Sequence, residues 1–264
     1  MFRTRLLSGI VLVILALILI ITGEEVLLAS TFLISCIGMY ELYRVFHIEK
    51  SIMAWISYLG VFVFYVNLRL TFVEDAMTIA MGYMILLMFA YVFTYPKFEA
   101  KHIMASFFGF FYVGVMLSYV YQIRSLDNGV YLAFLVFICS WGCDTCAYCV
   151  GMLFGKRKMA PKLSPKKSVE GGIGGVVGAA LLGALYALAM NKWAGAAVSP
   201  VNFAIICGVG GMISQVGDLC ASAIKRNKDI KDYGKLIPGH GGILDRFDSV
   251  IFTAPIIYYL ATML

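Results

Sequence analysis

Residues 6–22 read LLSGIVLVILALILIIT, an uncharged apolar run that follows the basic start MFRTR. No small-residue cleavage site precedes Glu24 and Glu25, so we predict a retained membrane helix rather than a signal peptide. Runs of about 20 apolar residues, the length that crosses a bilayer, recur along the chain. Only 14% of the residues are charged and 61% are hydrophobic, whereas about a quarter are charged in soluble domains. These features predict an all-α, polytopic transmembrane helical protein.

The hydrophobic runs predict about nine crossings. The weakest boundary lies between the third and fourth, where only Arg69, Glu74 and Asp75 interrupt the apolar sequence, so eight crossings is the alternative. If the N-terminus is cytoplasmic, all of the 21 Lys and Arg residues except Arg69, Arg124 and Lys192 lie at cytoplasmic helix ends. The positive-inside rule therefore predicts a cytoplasmic N-terminus and an outside C-terminus. The predicted helices cover residues 6–23, 26–46, 54–73, 76–95, 103–123, 130–154, 172–191, 201–224 and 248–264.

Charged residues and glycines are distributed unevenly. The first five predicted helices are nearly free of buried charge, whereas acids, bases and glycines concentrate after residue 139. We therefore expect residues 1–125 to form a transmembrane scaffold. Residues 126–264 are expected to form the catalytic part, with two cytoplasmic loops at 155–171 and 225–247. No repeat of fixed period is visible, so inverted-repeat transporter architecture gets no support.

The seven cysteines are odd in number and lie mostly inside apolar runs. We predict that they act as small packing residues and form no disulfides. Cys143, Cys146 and Cys149 imitate the spacing of iron–sulfur ligands. Steps of three residues on a regular helix rotate the thiols around the axis, so a cluster site is not predicted.

Asp144 is an ionisable residue inside a predicted membrane helix. A carboxylate near the middle of a bilayer costs about 2.5–3.5 kcal/mol, so it usually faces a cavity or a partner. It shares a helical face with Tyr148, Gly151 and Gly155. We predict a polar cavity at this face, and a buried Asp paired with a base is the alternative.

The loop after this helix contains Lys166 and Lys167, flanked by Ser164 and Ser168, and leads into paired glycines. Its basic charge alone is uninformative, because cytoplasmic loops are generally rich in Lys and Arg. Ammonium groups and hydroxyls next to a helix N-terminus favour anion binding. The glycines are also explained by close helix packing.

The most hydrophilic stretch runs from Asp218 to Asp248. Asp218, Ser222 and Lys225 fall at positions i, i+4 and i+7 on one helical face. Asp245 and Asp248 follow at the start of the last helix. Together with Asp218 they offer the carboxylate oxygens that Mg²⁺ takes in proteins. The alternative is that Lys225 snorkels to the membrane surface and Asp218 is an incidental partner. It explains this pair but not the other charged residues of the stretch.

Between these acids, residues 238–242 read Pro-Gly-His-Gly-Gly. This sequence predicts a tight turn whose amides could cradle a phosphate. His240 has no second histidine near it in sequence, so no zinc site is predicted.

A long and specific motif runs from Ser222 to Asp248. It reads Ser222-x-Ile-Lys-Arg-x4-Lys231-Asp-x-Gly-x2-Ile-Pro-x-His240-Gly-Gly-Ile-x-Asp245-Arg-Phe-Asp248. It resembles the signature of the CDP-diacylglycerol synthases, also called phosphatidate cytidylyltransferases. The blocks around Asp144 and Lys166 are similar to other motifs of this family. The resemblance covers about the C-terminal half. Two departures, Cys146 for glycine and Ser168 for threonine, remove no charge.

The resemblance implies a Mg²⁺-dependent transfer of the cytidylyl group from CTP to phosphatidic acid, which releases pyrophosphate. It implies Asp218 and Asp245 as metal ligands, with a second cation left open, and Asp144 and Asp248 as further ligands or orienting groups. No general base is required, since the attacking phosphate is already ionised. Besides these four acids, Lys225 and Arg246 are predicted to be catalytic. The predicted substrate-binding residues are Lys166, Lys167, Ser222, Arg226, Lys231, Asp232, His240, Gly241 and Gly242.

The expected partners are CTP, phosphatidic acid and membrane lipids, with no nucleic acid and with a homodimer left open. The expected location is the inner, cytoplasmic membrane, with the active site facing the cytoplasm. A CTP-dependent lipid kinase, which moves the γ-phosphoryl group, is the first alternative. An ion-coupled transporter using Asp144 and Asp218 is the second.

Overall fold

The computed structural model describes the backbone of residues 2–264 and the side chains of residues 7–264, so Arg3 and Arg5 of the charge count lie outside the described side chains. This part of the chain is a bundle of nine helices with one short hairpin, which confirms the all-α fold and the predicted number. The helices are α1 (Phe2–Thr22), α2 (Glu24–Val45), α3 (Ile52–Leu70), α4 (Ala76–Thr94), α5 (Ala100–Arg124), α6 (Gly129–Phe154), α7 (Val169–Ala194), α8 (Pro200–Asn227) and α9 (Leu244–Met263). Seven of them, α2 to α8, are long and apolar enough to cross a membrane.

The weak boundary between the third and fourth helices is set by local capping. Helix α3 ends at Leu70, and the Thr71 that follows it has a left-handed φ of 48°. Asp75 precedes α4 as its N-cap, and its carboxylate accepts a hydrogen bond from the Met77 amide at 2.9 Å. Such a cap satisfies an amide that the first helical turn leaves unpaired. The two segments are therefore separate helices, as the prediction of nine requires.

The predicted loop at residues 155–171 is partly ordered as an antiparallel hairpin of β1 (Lys158–Ala160) and β2 (Ser164–Ser168). Ser168 then caps α7, with its hydroxyl accepting from the Gly171 amide at 3.1 Å. Serine and threonine both cap helices through the hydroxyl, which explains why Ser168 is an acceptable departure. The hairpin carries Lys166 and Lys167 on β2.

The sequence predicted a regular helix over α6. The structure instead has a π-helical turn within it, at Ile138–Gly142. π turns inside α-helices often occur next to functional sites, and this one lies directly before Asp144. The thiols of Cys139 and Cys143 are fully buried. Cys143 Sγ lies 3.3 Å from the carbonyl oxygen of Gly211 in α8. These thiols face a neighbouring helix, and all seven cysteines are free.

Glycines bring α6, α7 and α8 close together. A Cβ atom on Gly175 would lie 2.9 Å from the Ala147 Cβ, and one on Gly183 would lie 2.6 Å from the Cys207 Sγ. These distances are too short for a side chain, so glycine is required for the packing. Helix α9 packs against both α8 and α5.

Contacts between distant segments identify the two ends of the bundle. At one end, Ser8 Oγ donates to the Pro238 carbonyl oxygen at 3.2 Å, and Arg44 donates to the Tyr233 carbonyl oxygen. At the other end, Arg124 Nε donates to the Ile20 carbonyl oxygen at 2.9 Å. The start of α1, the end of α2 and the loop between α8 and α9 therefore lie together.

Candidate active site

A cavity of about 520 Å³ lies at that first end, between α6, the hairpin, α8 and α9. Four acids and four bases line it, and they come from four separate segments of the chain. All four predicted catalytic acids are among them. The charged lining residues are Asp144, Lys166, Lys167, Asp218, Lys225, Asp245, Arg246 and Asp248.

One wall of this cavity is apolar and aromatic. Trp141, Tyr148 and Met152 of α6 line it together with Met159 of the hairpin. Tyr148 and Met152 are 69% and 66% exposed. A cavity with a charged interior and an apolar wall suits an amphiphile that carries a phosphate.

Lys167 and Asp218 form an ion pair inside the cavity, and each side chain is about one-quarter exposed. The Lys167 Nζ atom itself is buried and, apart from this pair, has no hydrogen-bond partner among the described residues. An ammonium group carries three donors, and buried donors are nearly always satisfied. Lys167 is therefore ready to bind an anionic oxygen that enters the cavity.

Asp245 is the most constrained of the four acids, since its side chain is only 1% exposed. Its Oδ1 accepts from Lys225 Nζ at 2.9 Å. Its Oδ2 accepts from the amides of Tyr233 at 2.8 Å and Gly242 at 3.0 Å. The two amides orient the carboxylate, and Oδ1 remains the oxygen that faces the lysine.

Tyr233 packs beneath this pair. Its hydroxyl donates to the Ala221 carbonyl oxygen at 3.2 Å, and Lys225 Nζ lies 5.4 Å from the ring centroid. Burial raises the pKa of the Tyr233 phenol far above its usual range, and the charges of Asp245 and Asp248 act in the same direction. The phenol is therefore a neutral donor, and the ring helps to fix Lys225.

Asp144 and Asp248 complete the acidic side. Asp248 is 7% exposed and accepts from the Ser249 amide at 2.8 Å. Asp144 lines the cavity from α6, two residues after the π-helical turn. Both lie near Asp218, so three carboxylates share one electrostatic environment. Three neighbouring carboxylates repel one another when all are ionised, so this arrangement attracts metal cations and basic side chains that offset the negative charge.

A second, polar cavity of about 520 Å³ lies in the loop between α8 and α9. Lys231, Asp232, His240 and Gly241 line it, and Arg246 lines both cavities. His240 Nδ1 lies 2.7 Å from Ser8 Oγ in α1. Six of the nine predicted substrate-binding residues are thus divided between the two cavities, and Arg246 lines both.

The predicted glycine turn is present but is used differently from the expectation. Ile237 and Gly241 pair across it, and Gly239 and Gly241 have φ values of 79° and 89°. The His240 amide donates to the Ile237 carbonyl oxygen at 3.0 Å. Since the Gly242 amide donates to Asp245, these two amides already bind groups of the chain rather than a ligand.

Three predicted residues line neither cavity. Ser222 and Arg226 lie on α8, and Gly242 is buried beneath the turn. Their substrate-binding role therefore gets no support from the geometry. Ser222 is on the predicted helical face, but only Asp218 and Lys225 of that face reach the cavity.

The described residues contain no group of three or more His, Cys, Asp or Glu side chains that could hold a metal ion. Mg²⁺ commonly takes only one or two carboxylates and completes its shell with water and substrate phosphates. Asp218 and Asp245 each present a carboxylate to the cavity, and hydrogen bonds from amides orient the second one, as is usual for ligating carboxylates. The residues present fit such an ion.

Sequence reasoning missed Glu41, which is only 4% exposed. The expectation that the first five helices carry almost no buried charge overlooked it. Its carboxylate accepts from the amides of Ile243 and Leu244 at the start of α9, at 3.1 and 2.8 Å. The available signal was an ionisable residue inside a predicted membrane helix.

Comparisons with known proteins show similarity along the whole chain. A model of the Cytidylyltransferase family matches residues 3–264. A phosphatidate cytidylyltransferase of Bacillus subtilis (strain 168) is 33% identical over 270 residues, which cover 99% of this chain and 98% of that protein. One of Staphylococcus saprophyticus is 31% identical over 98% of both chains. One of Synechocystis sp. is 34% identical over 53% of this chain and 46% of that protein. The matches extend the resemblance to the N-terminal half, and the chain therefore belongs to the cytidylyltransferase family.

Proposed function

We propose that this integral membrane protein transfers the cytidylyl group of CTP to phosphatidic acid, with CDP-diacylglycerol and pyrophosphate as products. The observation that carries the proposal is the cavity itself, in which four acids and four bases meet beside an apolar wall. Two polyanions must approach each other for this reaction, and positive groups are needed to offset their repulsion. The family relationship supports the same chemistry.

In this reaction an oxygen of the phosphatidate phosphate attacks the α-phosphorus of CTP. The bond from that phosphorus to the bridging oxygen breaks, and pyrophosphate leaves with the electron pair. Lys167 has unused donors for a phosphate oxygen, whereas Lys225 would turn from Asp245 towards one, which its flexible side chain permits. Arg246 lies between the cavities, where it can bind both reactants.

The two cavities have different linings, and this difference suggests which substrate binds in each. The cavity beside Trp141 and Tyr148 suits the lipid phosphate, because its wall is apolar. The loop cavity suits the polar nucleotide, because Lys231, His240 and Arg246 line it. The reacting phosphorus would then lie near Arg246.

We further propose Mg²⁺ as the cofactor, held by Asp218 and Asp245, with Asp144 and Asp248 nearby. The ion would neutralise phosphate charge and help to align the reactants. A second cation stays a prediction. We also propose that the site faces the cytoplasm from the inner membrane, because the basic helix ends gather at this end of the bundle.

The direct test uses purified protein with phosphatidic acid, Mg²⁺ and CTP labelled at either the α- or the γ-phosphate. We expect the α-label in the extracted lipid and the release of one pyrophosphate per lipid formed. Label from the γ-position in lipid would instead identify a lipid kinase. Metal binding without any turnover would favour the transporter alternative. Mass measurement of the protein in detergent determines whether it is a monomer or a homodimer.

The departure at Cys146 allows a prediction about packing. Gly178 of α7 faces this side chain, since a Cβ there would lie 2.5 Å from the Cys146 Cβ and Sγ. We expect Cys146→Gly to retain nearly full transfer activity, because it only leaves a small gap in a half-buried position. Gly178→Ala should lower the melting temperature, and Cys146→Gly should restore it in the double variant. Loss of activity in Cys146→Gly without loss of stability would show that the thiol has a role in the site.

A further inference from the structure

Helix α9 begins without a capping side chain of its own, since Ile243 precedes it. The amides of Ile243 and Leu244 are instead bound by the two carboxylate oxygens of Glu41, at 3.1 and 2.8 Å. Helix starts carry unpaired amides and a partial positive charge, both of which a carboxylate satisfies. The cap of α9 therefore comes from α2, about 200 residues earlier in the chain.

The carboxylate of Glu41 occupies a space formed by two glycines. A Cβ on Gly234 would lie 2.1 Å from Glu41 Oε1, and one on Gly242 would lie 2.3 Å from the same atom. Real Cβ atoms do not approach so closely, so any side chain at either position would displace the carboxylate. The buried carboxylate of Glu41 is thus the point where three segments meet, namely α2, the loop between α8 and α9, and the start of α9.

Helix α2 holds the loop at a second point. Arg44, one turn after Glu41, donates from Nη2 to the Tyr233 carbonyl oxygen. The Tyr233 amide in turn donates to Asp245 Oδ2 at 2.8 Å. Asp245 is therefore connected to both places where α2 fixes the backbone: it accepts from the amide of Tyr233, and it directly follows Leu244.

We propose that Glu41 is a positioning residue for the transfer reaction. It lines neither cavity, and both of its oxygens are bonded to amides, so it does not act on the substrates directly. It fixes the start of α9, from which Asp245, Arg246 and Asp248 project into the cavity. The inference rests on the proposed function for its kinetic consequence, but its structural consequence can be measured separately.

Glu41→Gln tests this role with little change in side-chain volume. The amide keeps one acceptor but brings a donor towards a backbone N–H, so one amide at the start of α9 loses its partner. We expect the turnover number per folded molecule to fall about 10²-fold, as for other small displacements of reacting groups. The KM for CTP should rise by a smaller factor than the turnover number falls, because Lys231 and Asp232 of the loop cavity lie outside the affected segment.

Amide hydrogen exchange measured without CTP or metal provides the second readout. In Glu41→Gln, exchange should accelerate in peptides that span residues 240–248 and remain unchanged in α3 and α7. Gly234→Ala should give the same local acceleration, because it displaces the carboxylate from the other side. Glu41→Asp keeps the charge with a shorter reach, and its turnover should lie between those of Glu41→Gln and the wild type.

Glu49→Gln is the matched control, since it removes the same charge in the loop that follows α2, and it should behave like the wild type. Wild-type turnover in Glu41→Gln, or unchanged exchange at residues 240–248, would overturn the proposal. So would a loss of activity that merely follows the folded fraction, with faster exchange throughout the protein. If the wild type itself transfers no cytidylyl group, the proposed function fails and the exchange difference alone decides whether Glu41 positions α9.

Discussion

Asp218→Asn is expected to lower cytidylyl transfer by about 10³-fold, the equivalent of about 4 kcal/mol of transition-state stabilisation. The asparagine keeps the shape and one acceptor for Lys167, but it removes the charge with which we propose that Asp218 binds Mg²⁺. Because asparagine still offers Lys167 an acceptor, and because it removes one like charge beside Asp144 and Asp248, the protein should stay folded. The measurement is turnover with α-labelled CTP, together with the melting temperature in detergent.

Asp229→Asn is a suitable control for this variant. Asp229 is exposed just beyond α8, lines neither cavity and has a φ of 52°, a conformation that asparagine tolerates well. The Asp229→Asn substitution removes one negative charge, as Asp218→Asn does, at the end of the bundle that contains the cavity. It should leave turnover unchanged. Turnover near that of the wild type in Asp218→Asn would refute the metal-ligand assignment of this residue.

Asp245→Asn should abolish transfer to a similar extent but should also destabilise the protein. One carboxylate here accepts from Lys225 and from two backbone amides. An asparagine cannot accept from all three, so a buried donor loses its partner, which costs about 1–3 kcal/mol. We therefore expect a lower melting temperature for Asp245→Asn than for Asp218→Asn, with both proteins still folded at the assay temperature.

Asp75→Asn makes the same exchange at the start of α4, where only one local cap is involved. Because asparagine caps as well as aspartate does, neither turnover nor the melting temperature should change. If Asp245→Asn retains activity, Asp245 neither holds the metal nor orients the site. An unchanged melting temperature would show that the three hydrogen bonds contribute little to stability.

The local pattern of the sequence was sufficient for the architecture. Apolar runs of about 20 residues separated by capping residues such as Ser51 and Asp75 define nine helices, because lipid requires each crossing to satisfy its own backbone. The start of α9 was placed too late, at residue 248 instead of Leu244. Its cap does not lie beside it in sequence, so no local signal marks the boundary.

The chemistry of the site was also visible in sequence, as acids, bases and glycines from Asp144 to Asp248. The sequence could not show how these groups pair, which residues line which cavity, or that Ser222 and Gly242 line neither. Those features depend on the π turn in α6, on the hairpin that carries Lys167 and on glycine packing between helices. Above all, the contact of Glu41 with Leu244 joins residues about 200 positions apart. The sequence by itself determined which groups the protein has and the helices that carry them, whereas tertiary packing alone decided their partners, because a buried charge is satisfied by whatever the fold places beside it.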